Sequence, residues 1–461
     1  LALLGCGVLA AACRRKGAAP LLAAVASVAE LAALPKAQLP PRANILLQEA
    51  LARAALASAQ PAAAYAAIAE PVTASLRAMV AAGGGGAPNG KQRSARVGLH
   101  PAAASEVAGL CACVRGLTRA TTRHDAQTCF AAASAALEPL VCLLPLLESE
   151  PSASTPVLRA LRDAAGAWMG LLSLDAAAHL ARACAAAVAT HAQLLCALPM
   201  VGDQATGLLP DRDRSKQVRA MLDIVAHVAS RDPADGGPGG GGGASVAAAH
   251  QLGEALSASL HALLPCVVPP LLCEAKLLRG YLHMLSALLE SHGSRVLALP
   301  APLPAAIGGH LIAALAHHEL AVGGAALDTV FQLARSAALC AAQAELPAAA
   351  AELLAGLLQR VGLALLGGSL HPELVDPPGG NALLALIAAA PHRWHEVASS
   401  LVELQPTAEG KQAATLAFGA LLTARGVSRS LAKPNRVKFR ANLADLLRLT
   451  RSARFAMPRL E

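Results

Sequence analysis

Gly85 to Gln92, "GGAPNGKQ", sets glycines and a lysine at the spacing of a phosphate-binding loop: Gly85, four residues, then Gly90 and Lys91. Such a loop cradles phosphates with backbone N–H groups and needs a Ser or Thr after the lysine for magnesium. That position is Gln92, with no strand pattern before it and no acidic strand after it. The reading is a low-complexity loop without nucleotide affinity. "PHRWHEV" places His392 and His395 three apart beside Glu396. A zinc-protease helix needs its histidines four apart with the glutamate directly after the first, so these read as polar residues at a helix start flanking a packed Trp394. Cys111 and Cys113 of "CAC", and His317, His318 and Glu319 of "HHE", are too close in sequence to share one helix face. No Ser-His-Asp or Cys-His arrangement is legible, and the expectation is no catalytic residue, no metal site, no cofactor and no enzyme.

The elements that would carry any site follow from composition. The 461 residues are 55% hydrophobic and 15% charged, enough for a large core, yet only 2% are aromatic. Cores of large enzymes draw on Phe, Tyr and Trp, whereas this chain relies on Ala and Leu, which favour helix. Period-two alternation of β-branched residues is nearly absent, so the expected class is all-α. Eleven cysteines are an odd number and form no regular disulfide or zinc spacing, which points to a reducing compartment.

The opening "LALLGCGVLAAACRRKGAAP" resembles a signal peptide, with Cys6 after Leu4 and Gly5 as in a lipobox. Its basic residues, Arg14, Arg15 and Lys16, follow the apolar run instead of preceding it, and the run is short of the ~20 residues a bilayer span needs. It reads as a core helix. No later run reaches that length unbroken, so the expectation is a soluble chain without membrane insertion.

Helical stretches of roughly 15 to 25 residues follow one another between Pro, Gly or Asp breaks. They pair as 43–58 with 61–81, 101–120 with 124–149, 155–173 with 175–199, 213–230 with 245–264, 269–292 with 302–318, 322–342 with 345–366, 378–390 with 392–404, and 407–424 with 435–455. A period of roughly 40 to 50 residues per hairpin is that of a HEAT or armadillo α-α superhelix. Two Gly-rich insertions, 81–94 and 232–245, read as flexible surface loops within one continuous solenoid spanning 1–461.

Charge converges on the end of the chain. Ten Lys/Arg against two Asp/Glu lie from Arg425 to Glu461, which accounts for the whole net charge of +8. Nucleic-acid binding would want basic residues interleaved with stacking aromatics, and that pattern is absent. At 100° per residue Phe439, Leu443, Leu446, Leu447 and Thr450 share one face, with Arg440, Arg448 and Arg451 on a flank and Asn435 as N-cap. The stretch reads as the closing helix of the array, docked on 407–424.

That closing region carries a resemblance. "WHEVASSLVELQPTAEGKQAATLAFGALLTARGVSRSLAKPNRVKFRANLADLLRLTRSARF", 394–455, resembles the C-terminus of the exportin-4 group of the importin-β superfamily of nuclear transport receptors. The likeness is a Leu-rich helix, a helix ending "AFGALLTA", and a closing "(R/K)xKFxxNLxxLL" helix at Arg436 to Leu447. Residues 273–303 and 39–57 resemble earlier paired helices of that family, and the likeness spans most of 39–455. It implies the C-terminal portion of an export receptor that binds protein cargo together with Ran-GTP and shuttles between nucleus and cytoplasm past nucleoporins. The main Ran contact would lie in N-terminal repeats outside this chain, and the hypusine-bearing translation factor would be one cargo. No cargo or Ran contact residue is carried over. From the residues alone, two other readings stand: a HEAT-type scaffold or adaptor, and a helical enzyme.

Overall fold

In the computed structural model, the described residues are 2–14, 39–84, 101–147, 151–197, 212–231, 243–268 and 272–451. Of these, 85% are helical and none forms a strand, so the fold class is all-α. The chain divides into two compact units, Leu1–Val267 and Val268–Glu461. The first holds α1 (Ala2–Arg14), α2 (Pro41–Leu56), α3 (Pro61–Gly84), α4 (Pro101–Ala120), α5 (Ala126–Ala133), α6 (Leu137–Leu146), α7 (Pro151–Trp168), α8 (Leu174–Ala197), α9 (Arg212–Ala229) and α10 (Gly243–Leu263). The second holds α11 (Ala275–Leu297), α12 (Leu303–Leu315), α13 (Leu320–Ala341), α14 (Ala348–Leu366), α15 (Gly380–Ala389), α16 (Pro391–Glu403), α17 (Ala408–Thr423) and α18 (Lys433–Arg451).

The starts of these helices are written locally. α2, α3, α4, α7 and α16 open on proline, whose fixed φ suits the first turn and whose missing N–H would have had no partner there. Thr407 caps α17, its hydroxyl accepting from the Gly410 N–H at 3.0 Å. The insertions begin later and end earlier than the sequence suggests: 81–84 complete α3 and 243–245 open α10. Their remaining residues, 85–94 and 232–242, lie outside the described residues, as does the phosphate-loop lookalike Gly85–Gln92.

Packing repeats within each unit. In the first, α1 lies on α2, α2 on α4, α4 on α7 and α7 on α9, while α3 lies on α5 and α6, α6 on α8 and α8 on α10. In the second, α11 lies on α13, α13 on α15 and α15 on α18, while α12 packs on α14 and α14 on α16. Small residues allow the close crossings. A Cβ on Gly116 of α4 would stand 2.6 Å from the Ile45 carbonyl oxygen and 2.6 Å from the Gln48 Cβ on α2. A Cβ on Gly293 of α11 would stand 2.3 Å from the Ser336 Oγ on α13, and that hydroxyl donates to the Leu289 carbonyl at 3.0 Å.

The few aromatic residues tie elements together. Trp168 on α7 stacks edge-on to Phe130 on α5 at 5.6 Å and donates to the Thr121 hydroxyl at 3.0 Å. Tyr65 on α3 donates to the Leu117 carbonyl on α4 at 3.2 Å, and Trp394 on α16 meets Phe418 on α17 edge-on at 6.1 Å.

One expectation needs correction. Ala126–Leu146, Leu174–Ala197 and Ala348–Leu366 are by length and composition apolar enough to cross a membrane. Glu138, Asp175, Arg182, Glu352 and Arg360 break these into shorter apolar runs without greatly lowering their mean hydropathy. About half of each stretch is buried against neighbouring helices, 50%, 50% and 44% in turn.

The closing helix α18 buries Phe439, Leu443, Leu446, Leu447 and Thr450, as its periodicity predicts, and packs on both α17 and α15. Its charges are largely engaged within the unit. Arg440 pairs with Asp376 at 2.6 Å, Arg448 with Asp445 at 2.8 Å, and Arg425 with Asp445 at 2.7 Å. The Arg436 guanidinium sits 5.3 Å over the Phe331 ring. The Arg451 side chain lies outside the described residues. Asn435 is not the N-cap: α18 starts earlier, at Lys433, and the Asn435 amide instead clasps the preceding loop, donating to the Ser428 and Ser430 carbonyls at 2.7 and 2.6 Å. Denaturant unfolding followed by circular dichroism should show Leu443→Ala losing roughly 2–5 kcal/mol. Arg448→Glu, at a side chain 79% exposed, should cost no more than about 1 kcal/mol. Equal losses would mean that the stripe does not close the unit.

Candidate functional site

The residues singled out for chemistry mostly take structural places. His392 and His395 are exposed on α16 to either side of the buried Trp394, and Glu396 accepts from Arg393 at 2.8 Å. Cys111 and Cys113 are both buried in α4, and burial raises the Cys111 thiol far above its usual range. Among the described residues no three His, Cys, Asp or Glu side chains are grouped to hold a metal.

"HHE" departs from its reading. Residues 316–319 form the loop between α12 and α13 instead of a helix, and there the His317 and His318 rings stack at 4.3 Å. Both line a cavity of about 740 Å³, together with His310 and Cys273 and a wall of alanines and Gly309. Behind it the His310 Nδ1 stands 3.0 Å from the hydroxyl of the fully buried Tyr281, and burial depresses the His310 pKa. The Glu319 N–H donates to the His317 Nδ1 at 3.0 Å. With Nδ1 accepting, the ring N–H lies on Nε2, which is buried and has no hydrogen-bond partner. The cavity thus has a largely apolar wall with three imidazoles at its edge.

In the first unit, ion pairs link helices that stack on one another. Arg14 on α1 holds Glu49 on α2 through two bonds of 2.8 Å, and Arg53 reaches the same carboxylate at 3.1 Å. Arg53 also donates to the Arg119 carbonyl on α4 at 3.0 Å. Arg115 on α4 then meets Asp163 on α7 at 2.7 Å, and Arg162 beside it lies 2.6 Å from Asp163 and 3.7 Å from Asp223 on α9. Burial alone would raise the Glu49 and Asp163 carboxyls, but the arginine contacts outweigh it and hold both below the ordinary carboxylate range. Arg159 stands one turn from Arg162: burial lowers its pKa, the charges of Arg115 and Arg162 lower it further, and Asp163 and Asp213 only partly compensate. A crowded guanidinium of this kind is suited to a carboxylate or phosphate supplied from outside.

Deeper in the same unit His191 of α8 is 2% exposed. Neither ring nitrogen has a well-formed hydrogen bond. Gln217, itself donating to the Ser154 and Thr155 hydroxyls at 3.1 and 3.4 Å, approaches it only loosely. Burial pushes the imidazole down to about 4.

The Glu49–Arg53 and Arg162–Asp163 pairs are local, but the contacts of Arg14 with Glu49, Arg115 with Asp163 and Arg162 with Asp223 join different helices and could not be read from spacing. The chain matches no protein-family model, and no curated protein matches it.

The two kinds of titrating group separate on a pH axis. A histidine depressed on folding contributes stability above its unfolded pKa of about 6.5, and this is lost as pH falls towards its folded value. Thermal melts should show His191→Leu removing a loss on the order of 2–3 kcal/mol between pH 6.5 and about 4. Asp163→Asn should leave that window unchanged and flatten only the loss below it, because a depressed carboxyl gives up its contribution below about pH 3.9. A wild-type melt indifferent to pH between 6.5 and 4 would contradict the assignment.

Proposed function

We propose that the chain is a binding module, an α-α solenoid of HEAT or armadillo type that engages other proteins along its stacked hairpins. The observation that carries this reading is the repeated side-by-side packing of helices within each unit, α1 on α2, α2 on α4, α4 on α7 and α7 on α9 in the first, where ion pairs join α1 to α2, α4 to α7 and α7 to α9. Stacked hairpins present long surfaces to partners, and the part-buried Arg159 adds positive charge beside Arg115 and Arg162 on one such stack. The partner surface that complements it is acidic.

Within that class, the resemblance of 394–455 favours a nuclear export receptor that binds protein cargo with Ran-GTP and shuttles between nucleus and cytoplasm. The side chains that carry the resemblance have positions in keeping with a closing helix. Phe439, Leu443, Leu446 and Leu447 are the buried stripe, and the Asn442 amide donates to the Leu421 and Ala424 carbonyls at 3.1 and 2.8 Å, tying α18 to the end of α17. In this reading the scaffold has no catalytic group or cofactor of its own.

Affinity capture from a nuclear extract, using the full-length protein with GTP-locked or GDP-loaded Ran, separates the readings. Coupling between Ran and cargo must be reciprocal, so the receptor reading predicts cargo retained only with the GTP form. Equal retention in both arms would leave the scaffold and remove the receptor. Retention unaffected by Arg159→Glu would remove the acidic docking surface.

A further inference from the structure

The last turn of α8 and the short turn after α10 bring two thiols together. The Cys196 Sγ lies 3.2 Å from the Cys266 Sγ, across 70 positions of sequence. Cys196 is exposed and Cys266 buried. The Cys266 thiol has the Ala192 carbonyl at 3.5 Å, one turn before Cys196. An S–S bond is about 2.0 Å long, so the sulfurs need approach by only about 1 Å to bond.

A cation stands beside the pair. Arg214, at the start of α9, donates from Nη2 to the Leu195 carbonyl at 3.0 Å. Its Nε is buried without an acceptor. Burial and the neighbouring Cys196 raise the Cys266 thiol, and the Arg214 charge opposes them. The site therefore combines an accessible sulfur, a second sulfur behind it, and a guanidinium with one N–H to spare for a thiolate.

We propose that Cys196 and Cys266 are a modification site, forming a reversible intramolecular disulfide with a peroxide as oxidant. The Cys196 thiol gives up its proton, and its sulfur attacks one peroxide oxygen. The O–O bond breaks, the leaving oxygen departs as water, and Cys196 is left as a sulfenic acid. Cys266 then loses its proton beside Arg214 and attacks the Cys196 sulfur. The S–O bond breaks and a second water leaves. Two thiols have lost two electrons and two protons, and one peroxide has become two waters. An external thiol reverses the step by attacking the exposed Cys196 sulfur, and a second external thiol completes the reduction. The bond ties α8 to the turn that ends α10, so it restrains two helices that already pack on one another.

The purified chain is treated with hydrogen peroxide, alkylated, digested and analysed by mass spectrometry, with Cys142 and Cys273, both exposed, as internal reporters of indiscriminate oxidation. The expected result is a cross-linked peptide pair holding Cys196 and Cys266, lighter by two hydrogens and restored by dithiothreitol, before either reporter is modified. The oxidised chain should melt higher than the reduced one, and Cys196→Ser, a change at an exposed site, should abolish both the cross-link and the difference in melting. Arg214→Gln should slow closure. Recovery of Cys196 and Cys266 both alkylated while the reporters oxidise, or Cys196 bonded to any other cysteine, would overturn the proposal.

Discussion

Helices that stack on one another must approach closely, and in this chain small side chains decide how closely. With 2% aromatic residues, large side chains cannot fill the space between helix axes, so the axes must come together until backbone meets backbone. At Gly116 the crossing of α2 and α4 leaves no room for a Cβ, and at Gly293 the crossing of α11 and α13 leaves only enough for a hydroxyl to reach across. The alanine content that looked like simple helix propensity is thus also a packing requirement. Interiors are close-packed, and a wider crossing would leave voids. The scarce aromatics go to the joints, where Trp168, Trp394 and Tyr65 each bridge two elements.

Close crossings exclude water, which makes the polar groups between them expensive unless paired. Glu49 and Asp163 are accordingly met by two arginines each, one of them from a different helix. In the second unit Asn442 serves the carbonyls at the end of α17 that the helix itself leaves without donors. His191 is the exception, a buried ring kept neutral at the cost of acid stability. Such pairs contribute little net stability once desolvation is counted, but removing one partner would strand the other's charge.

What the sequence revealed and what it hid divide along the same line. Helix positions, the proline starts and the buried stripe of α18 are local or periodic, and a 3.6-residue repeat carries them. The Arg115–Asp163 contact, the Cys196–Cys266 pair and the cavity that gathers His310, His317 and His318 depend on which helix lies against which, and no spacing encodes that. "HHE" was placed on a helix because its neighbours are helical, and the loop that stacks the two rings was invisible. Asn favours a cap, but α18 already starts at Lys433, and the Asn435 side chain serves the loop before it. At the basic end of the chain, the charge excess says nothing of where each side chain goes, and Arg425, Arg436, Arg440 and Arg448 meet Asp445, Phe331, Asp376 and Asp445 in turn.

Replacing one glycine tests the close-crossing account most directly. Within a helix, Gly→Ala ordinarily stabilises by roughly 0.5–1 kcal/mol, and Gly356 on α14, where a Cβ meets nothing within 4 Å, should behave that way. Gly116→Ala should do the reverse, because its Cβ would meet backbone at 2.6 Å, and a loss of about 1–3 kcal/mol is expected in denaturant unfolding. If Gly116→Ala stabilises the protein as Gly356→Ala does, the helices do not depend on that approach, and the account fails at its base.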